Sequence, residues 1–231
     1  MEFVVGMNLM NNLEVLYEDN HVIVCYKPKG ILSQSDGSNT LDMLTILKQY
    51  IKEKYNKPND VYLGLVHRLD INTSGVMVFA RTSKAASRLS FDISNHNFKK
   101  KYLALVEGKL PLNELTVLNH KLLKDEKKKK AYVSDRGLNA SLEYTCLKHI
   151  EYKGKILSLV DINLLSGRFH QIRCQFASIG HPLYGDKKYG STNNVDYLDF
   201  PLEAYYLSFV HPTKKEWMIF EKKVDTIFYK K

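Results

Sequence analysis

Short apolar runs follow one another along this 231-residue chain with little more than a turn between them. That adjacency limits the fold more than any other feature. "LEVLYEDNHVIVCYKPKG" (13–30) holds two β-type runs around the turn residues Glu18 to Asn20, a hairpin pattern, and Pro28 and Gly30 stop the second run. "VYLGLV" and "GVMVFA" follow, then "KKYLALVEGKL", "SLEYTCLKHI", "KILSLVDINLL" and a closing hairpin-like pair, "AYYLSFVHP" and "EWMIFEKKV". Strands joined by tight turns pair antiparallel, because a parallel pair needs a crossover of a dozen or more residues. Helical spacing is sparser. Leu41, Leu44, Leu47 and Ile51 mark one helix, with Asn39 or Thr40 as its cap; a second starts at Ser83 and runs through Ala86 and Leu89 towards Phe91; a third begins within "SGRFHQIRCQFASIG". The pattern predicts an α+β fold: a mixed, mainly antiparallel central β-sheet with flanking helices and loops.

Charge narrows the partner. Lys+Arg 34 against Asp+Glu 25 gives a net charge of +9, an excess that suits a polyanion whose counterions are released on binding. A membrane surface is the competing reading, but no basic amphipathic helix supports it. Cys25, Cys146 and Cys174 are odd in number and lack a C-x-x-C spacing, which argues against a disulfide framework and a zinc knuckle and for a reducing cytosol. "MEFVVGMNLMNN" has no basic start and no small-residue cleavage site, and no apolar run is long enough to span a bilayer. The expectation is a soluble, cytoplasmic protein. No repeat, linker or composition shift divides the chain, so residues 1–12 read as an N-terminal extension and 13–231 as one domain. "KDEKKKKAYV" (124–133) reads as a solvated loop between strands, either solubilising or touching RNA phosphates.

Three stretches hold candidates for chemistry. In "GLVHRLDINTSGVMVFA" (64–80), Arg68 and Asp70 stand in a polar turn between two apolar runs. A carboxylate placed there loses hydration, which raises its pKa unless a cation or donors compensate; Arg68 or a more distant arginine would serve. A salt-bridged corner is the structural alternative. In "LLSGRFHQIRCQFASIGHPLYGDKKYG" (164–190), Arg168, His170, Gln171 and Arg173 crowd the start of a helix. Such side chains are poor core material, and their donors suit phosphate, base edge or carboxylate. An exposed basic helix start is the alternative. In "KKYLALVEG", Tyr102 is either a core tyrosine with its hydroxyl at the surface or a base-stacking, proton-handling phenol.

Together, and in this order, "HRLDINTSG", "KKYLALVEG" and "SGRFHQIRCQFASIGHPLYGDKKYG" resemble the RluA family of RNA pseudouridine synthases, as do the opening from about Leu13 and the closing "YYLSFVHPTKKEWMIF". The resemblance implies the pseudouridine synthase fold with a catalytic cleft across the sheet, in a compact member without an S4 domain. It implies Asp70 as the catalytic aspartate, Tyr102 as the tyrosine packing on the flipped uracil, and Arg173 as the arginine paired with the aspartate. Arg68 then helps displace the target base, Ile172 forms an apolar wall, and Arg168, His170 and Gln171 join the substrate-binding set. Ser166, Phe169 and Cys174-Gln175 depart from the residues usual there and put fine RNA contacts in doubt. The implied reaction converts uridine to pseudouridine in structured RNA, ribosomal or transfer. A base so modified must leave its stack, and a carboxylate shielded from water must attack or abstract. No cofactor, no metal and no obligatory protein partner are expected, and the chain is expected to be a monomer. His67, His170 and His181 read as hydrogen-bonding scaffold. An RNA-binding chaperone without turnover, or a metal-dependent nuclease using Asp70, remain as alternatives; the nuclease lacks a second clustered carboxylate.

Overall fold

The structure, a computed structural model, describes residues 13–95 and 97–224. The expected extension 1–12 lies outside them. In chain order the elements are β1 (Val15–Glu18), β2 (Val22–Lys27), α1 (Met43–Lys54), β3 (Gly64–Leu65), β4 (Ser74–Ala80), α2 (Ser83–Ser94), β5 (Phe98–Glu107), β6 (Leu115–Asp125), β7 (Lys130–Val133), β8 (Leu138–Tyr152), β9 (Lys155–Leu164), α3 (Gln171–Ser178), β10 (Leu202–Val210) and β11 (Trp217–Glu221). Strands dominate, and the fold class is α+β. The strand pairs described below are antiparallel; isolated parallel bridges join Leu32 to Asp42 and Leu112 to Cys146.

The described residues form two compact units, one of 13–98 with 206–222, the other of 99–205 with 223–224. In the first, β1 and β2 make the expected hairpin, and β2 pairs with β4 from Val22↔Ala80 to Lys27↔Gly75. Residues 206–210 of β10 pair with β11. Val22 and Val24 of β2, Val76 and Val78 of β4, Ala85 and Leu89 of α2, and Phe98, Leu207 and Phe209 form one buried cluster. All seven residues of β4 are buried, so the run after Asp70 is enclosed on both faces; each large apolar side chain there contributes about 1.5–3 kcal/mol by leaving water. In the second unit the order is β5-β9-β8-β6-β7, with β5 pairing β9 from Lys101↔Asn163 to Glu107↔Leu157.

Three local expectations are corrected. Helix α1 is capped by Asp42, whose carboxylate accepts the Thr45 N–H at 3.1 Å, rather than by Asn39 or Thr40. The cause is a tertiary tie: Leu32 donates to the Leu41 carbonyl and accepts from Met43, at 3.0 and 2.8 Å, which keeps residue 42 extended. "VYLGLV" shrinks to the two-residue β3, and Tyr62 is half exposed. The lysine-rich loop is shorter than expected: β6 runs to Asp125 and β7 starts at Lys130, so the loop between strands narrows to the hairpin turn 126–129, which holds Lys127, Lys128 and Lys129.

Candidate active site

Asp70 lies on the turn between β3 and β4, half-buried, between exposed Arg68 and the buried Leu69 on one side and β4 on the other. The Thr73 N–H donates to the Asp70 carbonyl at 3.0 Å, closing a β-turn over 70–73. Both neighbouring peptides are held by one segment. The Leu69 N–H donates to Ser33 Oγ at 3.0 Å, and Ser33 Oγ donates back to the Leu69 carbonyl at 2.9 Å. The Ile71 carbonyl accepts from the Gly30 N–H at 2.9 Å and from Lys27 Nζ at 3.3 Å. Gly30 has φ +81°, a left-handed conformation that favours glycine. His67 Nε2 accepts the Val78 N–H at 3.1 Å, as expected of scaffold.

In the second unit, the N-terminus of α3 gathers the polar residues singled out in sequence. His170 is the N-cap residue in the left-handed region (φ 49°) and gives no side-chain cap bond. Gln171, the first helical residue, ties down the entering loop instead: its Oε1 accepts the Arg168 N–H at 3.0 Å and the Ser166 hydroxyl at 2.8 Å while Nε2 donates to the Ser141 carbonyl at 3.0 Å. Gln171 and Arg173 are therefore buried, at 3% and 8% exposure, contrary to the expectation that such side chains make poor core; full hydrogen bonding removes the usual cost. Arg168 stays exposed, its Nε on the Asn139 carbonyl at 3.0 Å.

Arg173 is the centre of this network. Nε and Nη2 donate to the two oxygens of Asp186 at 2.7 and 2.8 Å, a bidentate ion pair. Its guanidinium also stands 5.1 Å from the Tyr189 ring centre and 5.5 Å from that of Phe200. Nη1 lies 3.1 Å from His170 Nε2, and His170 Nδ1 lies 3.0 Å from the Tyr189 hydroxyl. An arginine can only donate, so His170 Nε2 accepts and Nδ1 carries the proton. Burial and the Arg173 charge push the His170 pKa down to about 3. The sign follows: the unfolded chain binds this proton below about 6.5 while the folded one refuses it until about 3, so stability falls as pH drops through that window. Wild type is expected to lose on the order of 1–2 kcal/mol between pH 7 and 5 through this group. His170→Gln, which keeps an acceptor for Arg173, should flatten that limb in thermal melts; an unchanged limb would refute the assignment.

Tyr102 lies in β5 opposite Ile162 of β9 and is buried at 5% exposure, and Ile172 is buried in α3 at 5%. Arg68 and Asp70 belong to the first unit, and Tyr102, Arg168, His170, Gln171, Ile172 and Arg173 to the second. His181 Nδ1 bonds the Glu107 carbonyl at 2.7 Å. Burial lowers the pKa of Lys100 and raises those of Cys25 and Cys174, which are free thiols. Among the described residues no three His, Cys, Asp or Glu side chains gather to hold a metal ion, and no helix is long and apolar enough to cross a membrane.

Residues 21–178 match the family of RNA pseudouridylate synthases. The chain belongs to that family. An uncharacterised RNA pseudouridine synthase of Aquifex aeolicus is 34% identical over 222 residues, covering 90% of this chain and 68% of its own length. Ribosomal large subunit pseudouridine synthase C of Buchnera aphidicola subsp. Schizaphis graminum is 31% identical over 231 residues, with 96% and 69% covered. The fold is shared with human RNA pseudouridylate synthase domain containing 4 (TM-score 0.75, 22% identity, 98% of this chain and 95% of that one) and domain containing 1 (TM-score 0.71, 22%, 93% and 84%). This RNA pseudouridine synthase is thus an isomerase that modifies RNA. Sequence reasoning passed over two of its polar anchors. Asp186 was visible as a lone acid in the quoted "YGDKKYG", and Lys27 as a lysine ending an otherwise apolar strand.

Proposed function

We propose that this synthase flips specific uridines out of structured RNA, large-subunit ribosomal or transfer RNA, and isomerises them with Asp70 as nucleophile or base, and with Tyr102 and Arg173 as the other catalytic residues. The observation that carries the reading is the Asp70 turn: a half-buried carboxylate whose two flanking peptides are both fixed by hydrogen bonds. Fixing the reacting group before substrate arrives lowers the cost of reaching the transition state. Arg68, exposed and two residues away, suits the vacated place in the stack, while Arg168, His170, Gln171 and Ile172 complete the substrate-binding set. The "HRLDINTSG" and "GRFHQIR" motifs and a relative named for the large ribosomal subunit support the substrate class. A single catalytic domain over 13–231, acting in the cytoplasm as a monomer, completes the proposal. The test is release of tritium from RNA carrying uridine tritiated at C5, with chelator present, followed by mapping of pseudouridines in cells lacking the protein. Strand cleavage or metal dependence would refute the reading.

The hairpin of β6 and β7 suits RNA phosphates. Lys128 and Lys130 stand 6.0 and 5.4 Å from the centre of the exposed Tyr132 ring, and Lys124 stands 4.8 Å from that of Phe169. Cations set around an aromatic face match a backbone of phosphates interleaved with bases. Replacing Lys127, Lys128 and Lys129 with glutamine is expected to reduce the slope of log affinity against log salt by about 2, at roughly 0.7–0.9 per phosphate contact. Binding measured across a salt series checks this; an unchanged slope makes the hairpin merely solubilising.

A further inference from the structure

We propose that Tyr189 is a positioning residue for Arg173, its hydroxyl tying the arginine to the hairpin of β6 and β7. The inference rests on Arg173 being catalytic and on that hairpin meeting RNA phosphates. Tyr189 is buried, at 7% exposure, and ends a short 3₁₀ turn, Lys187–Tyr189, that opens on Asp186. Its backbone N–H donates to the Asp186 carbonyl at 3.0 Å. One turn therefore carries both the carboxylate that pairs with Arg173 and the phenol that reaches another neighbour of that arginine, His170.

Two N–H groups converge on the phenol oxygen: the Ala131 amide of β7 at 2.7 Å and His170 Nδ1 at 3.0 Å. His170 Nδ1 holds the proton because Nε2 accepts from Arg173 Nη1 at 3.1 Å. A phenol oxygen accepts two hydrogen bonds at most, so these donors occupy it fully. A shift of β7 carries the oxygen along, and the oxygen carries the imidazole edge that Arg173 contacts. Packing accounts for the ring and not for the hydroxyl. A phenylalanine would fill the buried cluster of Leu122, Ala131, Ala140 and Cys174 equally well, and would keep an aromatic face 5.1 Å from the Arg173 guanidinium. Satisfying the Ala131 amide explains one bond, but the other goes to a histidine that Arg173 touches. On the hairpin side, Lys130 precedes Ala131 and sets its ammonium 5.1 Å from the centre of the Tyr189 ring, and Lys188 Nζ donates to the Lys129 carbonyl at 3.2 Å. Phosphates drawn to this hairpin therefore act next to the anchored amide.

The experiment compares Tyr189→Phe, the glutamine variant at Lys127, Lys128 and Lys129, the two combined, and Arg173→Lys, by thermal unfolding and by kcat and KM on one RNA. Tyr189→Phe is expected to fold and to lower kcat by about 10-fold with KM nearly unchanged. The glutamine variant is expected to raise KM in either background, but to lower kcat, by about fivefold, only where the hydroxyl is present. Effects on kcat that multiply independently would overturn the inference, as would a folded Tyr189→Phe enzyme with wild-type kcat. A glutamine variant with wild-type kcat would also overturn it. So would failure of Tyr189→Phe to fold, since the hydroxyl would then serve the fold alone. Full activity in Arg173→Lys would instead take the arginine out of the reaction and bring down the reading beneath.

Discussion

Asp70→Asn is expected to abolish tritium release from 5-tritiated uridine in RNA, by about 10⁴-fold or more, while the protein still folds and binds RNA. The structural half of this expectation comes from the turn. Its bonds run through main-chain atoms: Thr73 N–H to the Asp70 carbonyl, Ser33 to both sides of the Leu69 peptide, Lys27 and Gly30 to the Ile71 carbonyl. None needs the Asp70 side chain, and asparagine has the same shape. The catalytic half follows from chemistry. An amide is neither a nucleophile towards carbon nor a base at neutral pH, and removing a group on which every turnover depends costs many powers of ten. Binding should survive because an anion contributes nothing favourable to capturing a polyanion. Substantial turnover by the asparagine enzyme would remove Asp70 from the reaction.

Asp186→Asn carries the largest expected effect on stability. Asp186 and Arg173 are almost wholly inside, with side-chain exposures of 2% and 10%. Neutralising Asp186 removes the countercharge and turns one of the two oxygens that accept from the guanidinium into an amide NH2, a donor facing a donor in a dry place. Breaking a buried pair in this way costs about 3–5 kcal/mol, or about 10 °C in Tm for a chain of this size. Replacing both partners by apolar residues removes the stranded charge as well, so Arg173→Met with Asp186→Leu should regain much of the stability. If Arg173 is catalytic as proposed, the double variant stays inactive although folded. Recovery of activity along with stability would reduce the pair to a structural device. Differential scanning calorimetry beside the tritium assay separates the two.

The strands were legible because their signals are local: period, turn residues and short separations. The cap of α1 was not, since Asp42 wins over Asn39 and Thr40 only through the tie of 41 and 43 to Leu32. Asp70, Tyr102 and Arg173 were marked by motif. Their surroundings were harder to foresee. Gln171 and Arg173 read as exposed because long polar side chains carry no sign of the partners that satisfy them. Those partners are Ser141, Ser166 and Asp186, residues 30, 5 and 13 positions away along the chain. Lys27 illustrates the same blindness: a single cation closing an apolar strand looks like a surface end until a second loop is seen to wrap it.

The core cluster shared by β2, β4 and α2 draws Leu207 and Phe209 from β10, and this dictates an order of events on the ribosome. The second unit is nearly one continuous stretch and has its material in hand once residue 205 is made. The first unit brackets it, so the nascent N-terminal strands must wait, their apolar faces uncovered, until residues 206–222 emerge. Stop codons upstream of β10 should accordingly yield chains prone to aggregate rather than weakened enzymes.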